Sequence, residues 1–259
     1  MVQLLPRNRL KLSPSVRSVL RPLEFRQDRY RGPIARTVHR LTEAVVRQEI
    51  SAEQLLDELQ LTFDETDMAA EFASWTDTWP SGEKVERWLC RRMPRYFLPG
   101  PRHQGRMQDL NMRLKLFYLK PHRSEPPHYH NMMASLQCVV SGRIYCRQYD
   151  RVARTDENVV MIRPVSQREL TVGQTFRTTD HKDNVHWFGT EDEPAVVLDF
   201  YIKGKALYET PFESDAKRSH GRHYLDPTGQ PDADNSIAAR ELGVEEAYTR
   251  FASKSILSF

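Results

Sequence analysis

Cysteine is scarce in this chain. Cys90, Cys138 and Cys146 are all that 259 residues contain, and no two of them stand in a Cys-x-x-Cys spacing. An odd and scattered set excludes a disulfide framework and disfavours a zinc knuckle, so a reducing compartment is expected. Long apolar runs are missing too. No stretch approaches the ~18 consecutive apolar residues of a membrane-spanning helix, and Met1 to Leu10 hold no apolar segment of signal-peptide length. No membrane partner is therefore expected, and a cytoplasmic location is. Internal repeats and low-complexity tracts are absent. Charge of neither sign dominates: the net charge is +3, with 39% hydrophobic residues, enough to bury a full core. The positive excess is local, because residues 1–40 carry ten Lys or Arg against only Glu24 and Asp28. No aromatic interleaving or nucleic-acid-reading motif accompanies this arm. It reads as a solvated segment over its own domain, and nucleic acid is not an expected partner.

The apolar period then changes along the chain. Val38, Leu41 and Val45, followed by Leu55, Leu56 and Leu59, fall at helical intervals, and Ser51 with Gln54 forms a capping-box pattern at a helix start. Two further short helices are predicted, one with Met68, Phe72 and Trp75, the other with Val85, Trp88 and Leu89. From Met112-Arg113-Leu114-Lys115-Leu116 onward the period is two. Short β-rich runs follow at 136–140, 143–149, 159–162, 169–172 and 195–202, separated by Gly, Pro, Asp and Asn, as in a sandwich or barrel. After Tyr208 the chain reads as loop, until a last helical pattern through Ile237, Leu242, Ala247 and Phe251. That helix is expected to dock on the barrel or on a second copy in a homo-oligomer. The organisation expected is a basic arm (1–33), a helical region (34–105), a β-barrel (106–215) and a C-terminal loop and helix (216–259).

The chemistry-bearing residues are three histidines in this β frame. His128 and His130 are two apart, so on a strand both face one way while Tyr129 faces the other. His186, fifty-six residues after His130, lies in another extended segment that an antiparallel sandwich can return to the same ion. The trio, with Gly142 twelve residues past His130, resembles a cupin metal site. This implies an all-β cupin fold, a double-stranded β-helix or jelly-roll barrel, with helical N-terminal and C-terminal additions. The usual cupin pattern places a Glu ligand five residues after the second His, and here that position is Ser135. Three neutral imidazoles without a carboxylate leave a dication its charge and several open positions, which suits Fe(II) with a soft thiolate and dioxygen.

Further residues narrow the resemblance. Pro127-His128-Tyr129-His130 with Met133, Gly142 and Tyr149-Asp150-x-Val152 is similar to the first metal motif of the thiol dioxygenases of the cysteamine dioxygenase and plant cysteine oxidase family. Asn184-x-His186, Pro194-Ala195 and Leu198-Asp199 resemble the second motif, and Gly221-Arg222-His223-Tyr224 resembles the family's Gly-Arg near a tyrosine. The likeness covers roughly residues 108–225. Asn131-Met132 and Ile202-Lys203-Gly204 replace the family's Pro-Gly and Pro-Pro-Tyr, elements that border the substrate mouth. The resemblance implies an enzyme that uses Fe(II) to turn a thiol and O2 into a sulfinic acid. A small aminothiol or an N-terminal-Cys peptide would be the thiol. His128, His130 and His186 would be the metal ligands.

Asp199 shares strand parity with Ala195, Val197 and Tyr201. It would face inward and accept a hydrogen bond from a ligand imidazole or the substrate amine, the alternative being a structural salt bridge. Tyr201 or Tyr145 could supply a hydroxyl, and the sequence does not choose. Gln137 reads as a hydrogen-bonding lining residue, His103, His122, His181, His220 and His223 as surface or locally bonded, and Cys138 and Cys146 as packing. Two other functions stay open: a metal-dependent cupin enzyme acting on a non-thiol metabolite, and a non-enzymatic cupin that senses a ligand.

Overall fold

The computed structural model describes residues 32–76, 86–88, 95–99, 107–204 and 222–258. The basic arm, Cys90, His103 and His220 lie outside them. Among the described residues, three helices come first. α1 (Pro33–Val46) begins with Pro at its first turn, where no backbone donor is lost, and buries Ile34, Val38, Leu41 and Val45. α2 (Ala52–Asp64) starts at the capping box: Gln54 N–H donates to Ser51 Oγ at 3.2 Å and Ser51 N–H to Gln54 Oε1 at 2.8 Å. α3 (Met68–Thr76) follows.

Among the described residues, twelve strands make two antiparallel sheets. They are β1 (Glu86–Trp88), β2 (Arg95–Pro99), β3 (Met107–Leu119), β4 (Ser124–His130), β5 (Met133–Ser141), β6 (Arg143–Asp156), β7 (Val159–Thr171), β8 (Thr175–Thr178), β9 (Val185–Gly189), β10 (Ala195–Gly204), β11 (Arg222–Asp226) and β12 (Ile237–Leu242). The first sheet runs β1-β3-β10-β5-β8, with β2 also on β3. The second closes on itself as β11-β12-β7-β6-β9-β4. Helix α4 (Val244–Phe251) and a single 3-10 turn end the described chain.

The first sheet is buried on both faces. Met112, Leu114, Leu116, Leu136, Cys138, Leu198, Phe200 and Ile202 pack under the three N-terminal helices. The residues of opposite parity, including Phe117, Val139 and Val197, meet Ile144, Cys146 and Phe188 of the second sheet. α4 docks on the second sheet, with Phe251 against Trp187 at a ring separation of 5.2 Å. Gly142 turns the β5–β6 hairpin at φ 73°, and a Cβ there would sit 2.1 Å from the Pro194 carbonyl oxygen, so no other residue fits unstrained. This is a β-barrel fold of two antiparallel sheets, the second closed on itself, with helices before and after it.

Three local expectations are corrected. Glu86–Trp88 is strand, not helix: the long β3 edge offers unpaired backbone groups, and Glu86 to Trp88 pair with Phe117 to Lys115. Val85 and Leu89 lie outside the described residues. Val159–Thr171 is one strand instead of two, held by the β6 hairpin through its polar middle, with Pro164 at a bulge where its missing donor is harmless. Ile237–Leu242 is also strand. Ile237 and Ala239 are buried and Ala238 and Arg240 exposed, a period of two, and extended Gly243 separates this strand from the helix.

Candidate metal centre

β4 lies between β9 and β11, and this placement assembles the site. His128 stands opposite His186 on one side and Tyr224 on the other, while His130 stands opposite Arg222. Tyr129 turns away into a separate cluster, where its hydroxyl donates to Glu241 at 2.5 Å and His223 stacks on its ring. The ring centroids of His128 are 4.1 Å from those of His186 and 4.9 Å from those of His130. One nitrogen from each of the three rings lies within 4.8 Å of the others. No other such cluster of His, Cys, Asp or Glu occurs among the described residues.

Burial holds the rings neutral. It pushes His186 down to about 3 and His128 and His130 well below the usual histidine range, and the nearby Arg222 guanidinium lowers all three further. Neutral imidazoles keep the lone pairs that a cation needs. His128 Nδ1 lies 2.7 Å from the Pro126 carbonyl oxygen, which fixes that nitrogen as the donor and leaves Nε2 as the ligand atom. His186 Nδ1 is buried without a hydrogen-bond partner among the described residues. A desolvated imidazole nitrogen with no partner costs free energy, and a bound cation would remove the cost of desolvating the ring. The donor set therefore fits a divalent metal ion.

The rest of the cavity is lined by Phe117, Met133, Gln137, Phe188, Asp199, Tyr201 and Arg222 around an empty space of about 320 Å³, part of it open to solvent. Asp199 and Tyr201 both face it. Asp199 sits in register between Lys115 of β3 and Gln137 of β5. Its Oδ2 is 3.5 Å from Lys115 Nζ and its Oδ1 accepts from Gln137 Nε2 at 3.0 Å, so both oxygens are engaged within the first sheet and neither holds an imidazole. Ser135 is committed elsewhere as well. Its hydroxyl lies 2.6 Å from Thr178 Oγ1 and accepts from Gln137 at 3.0 Å.

Of the two tyrosines, Tyr201 lines the cavity, and burial raises its phenol so that it stays protonated at neutral pH. Tyr145 points to the opposite face of β6, toward Trp187 and Phe251. Arg222 pairs with Glu125, which also receives the Tyr248 hydroxyl at 3.2 Å. Sequence reasoning gave Arg222 no role, because only its pairing on β4 brings it to the histidines. His122 and His181 are exposed. No helix among the described residues is long and apolar enough to cross a membrane.

No protein-family model and no curated protein matches the chain. Solved structures overlap it in part. A cupin-2 domain protein from Shewanella frigidimarina is 12% identical over 50% of this chain and 89% of its own length, with a TM-score of 0.30. A cupin superfamily protein from Desulfitobacterium hafniense is 11% identical over 48% of this chain and 82% of its own, with a TM-score of 0.30. A hydroquinone 1,2-dioxygenase is 14% identical over 37% of this chain and 60% of its own, with a TM-score of 0.28. Strand order and register, not these overlaps, define the fold described above.

Proposed function

We propose that the protein is a non-haem iron thiol dioxygenase, with His128, His130 and His186 holding Fe(II). The observation that carries this reading is a cluster of three neutral imidazoles with no carboxylate among the ligands, Ser135 being tied to Thr178 and Gln137 where a Glu would otherwise bind. Such a centre keeps its full charge and open positions, which favours an anionic, soft sulfur donor over a neutral one. The reaction is R–SH + O2 → R–SO2H. Sulfur gives up the four electrons that reduce dioxygen, so no external reductant is needed. Fe(II) would supply the electron path between sulfur and oxygen.

The protein's own part is positioning. Pro126 fixes the tautomer of His128. Phe117, Met133 and Phe188 keep the cavity wall apolar, which protects a thiolate from competing solvent chemistry. Tyr201 keeps its proton and offers a hydroxyl donor at the wall. The substrate is a small aminothiol or an N-terminal cysteine.

Protein loaded anaerobically with Fe(II) is mixed with thiols, including an N-terminal-Cys peptide, and oxygen uptake is followed together with product mass. The expected result is uptake with a gain of two oxygen atoms on sulfur. Binding of Fe(II) without uptake for any thiol would abandon this function in favour of a non-thiol substrate or a ligand sensor.

A further inference from the structure

Gln137 ends in an oxygen that no described residue bonds. The residue is 4% exposed, lines the cavity beside the histidines, and its Oε1 has no hydrogen bond among the described residues. Its amide orientation is not arbitrary. Nε2 lies 3.0 Å from Asp199 Oδ1 and 3.0 Å from Ser135 Oγ, and an ionised carboxylate only accepts, so the nitrogen must face Asp199. Lys115, only 4% exposed, lies 3.5 Å from the other carboxylate oxygen, Asp199 Oδ2. Lys115, Asp199 and Gln137 thus form a fixed series across three adjacent strands. Its last member lines the cavity beside the histidines.

We infer that Gln137 Oε1 receives the amine that aminothiols and N-terminal cysteines carry beside the sulfur, and so selects those thiols over thiols without a donor. This rests on the thiol reading above and narrows it. Each Asp199 oxygen already has a partner within the first sheet, whereas Gln137 Oε1 has none among the described residues. An acceptor already buried without a partner gains a hydrogen bond only from a thiol that carries a donor, and such a gain strengthens binding about tenfold or more. Gln137 is a positioning residue for specificity and takes no part in the oxygen chemistry.

The test is anaerobic calorimetric titration of Fe(II)-loaded protein with 2-aminoethanethiol and with 1-propanethiol, its apolar isostere. We expect the aminothiol to bind at least about tenfold more tightly, and Gln137→Leu to abolish that difference while changing 1-propanethiol affinity less than about threefold. Equal affinities in the unaltered protein, as when a retained water satisfies Oε1, would overturn the inference and leave the thiol reading standing. A preference that survives in Gln137→Leu would overturn it as well. Binding of neither thiol would overturn the thiol reading itself, and the inference with it. Should Gln137→Leu fail to fold, the comparison of the two thiols on the unaltered protein still decides.

Discussion

The two walls of the cavity satisfy their polar atoms in opposite ways. The wall from the second sheet holds one buried imidazole nitrogen, His186 Nδ1, with no hydrogen-bond partner among the described residues. The wall from the first sheet is an internally bonded network, in which Lys115, Asp199, Gln137, Ser135 and Thr178 answer one another until only Gln137 Oε1 remains. The contrast teaches where the free energy resides. One wall offers three imidazoles that could hold a cation, while the other bonds its polar atoms to one another.

The largest expected effect breaks the self-sufficient wall. Lys115→Met removes the cation beside buried Asp199, leaving it only the Gln137 hydrogen bond, and is expected to cost ~3–5 kcal/mol in urea unfolding of the metal-free protein. The double variant Lys115→Met/Asp199→Leu should recover most of that loss, since the pair can be replaced by packing. Equal destabilisation by the single and double variants would contradict the pairing.

The next effect concerns the incomplete wall. His186→Ala is expected to weaken metal binding by more than about 100-fold while the metal-free fold persists, because a ligand matters at least as much as the groups that orient it. Competition with a metal chelator measures it, and full retention of metal would remove His186 from the site.

A smaller effect separates the walls by pH. The folded state holds His186 near 3, below the value of about 6.5 in the unfolded chain. The unfolded chain takes up the proton first, so stability is complete above pH 6.5 and declines as pH falls toward 3. Between pH 7 and 5 the metal-free protein should lose ~2 kcal/mol more than His186→Ala does. Parallel pH profiles for the two proteins would show that this imidazole is not buried neutral.

The smallest effect concerns two buried thiols, Cys138 on the outer face of the first sheet and Cys146 on the inner face of the second. Burial pushes the Cys138 thiol up to about 12 and raises Cys146 further. Neither should react with iodoacetamide at pH 8 until the protein unfolds, as peptide mass analysis of the labelled protein will report.

The histidine wall was the more legible of the two. A spacing of two on a strand places His128 and His130 together whatever the rest of the fold does, and the parity of Asp199 and Tyr201 with Val197 turns them inward. Lys115 was hidden for a physical reason. Alternation in Met112–Leu116 marks two faces without saying which is inner, and here the N-terminal helices bury the leucines while the lysine faces the site. Arg222 was hidden because its place depends on a long-range pairing with β4. The strand at Ile237–Leu242 was missed because its leucine and the residues of α4 share a helical spacing that the extended Gly243 interrupts.

The most direct measurement is the metal content of protein purified without added ions. The account predicts iron in near-equimolar amount, lost together with thiol-dependent oxygen uptake when any one of His128, His130 or His186 is replaced by alanine. Protein that folds, holds no metal and takes up none when Fe(II) is supplied would contradict it.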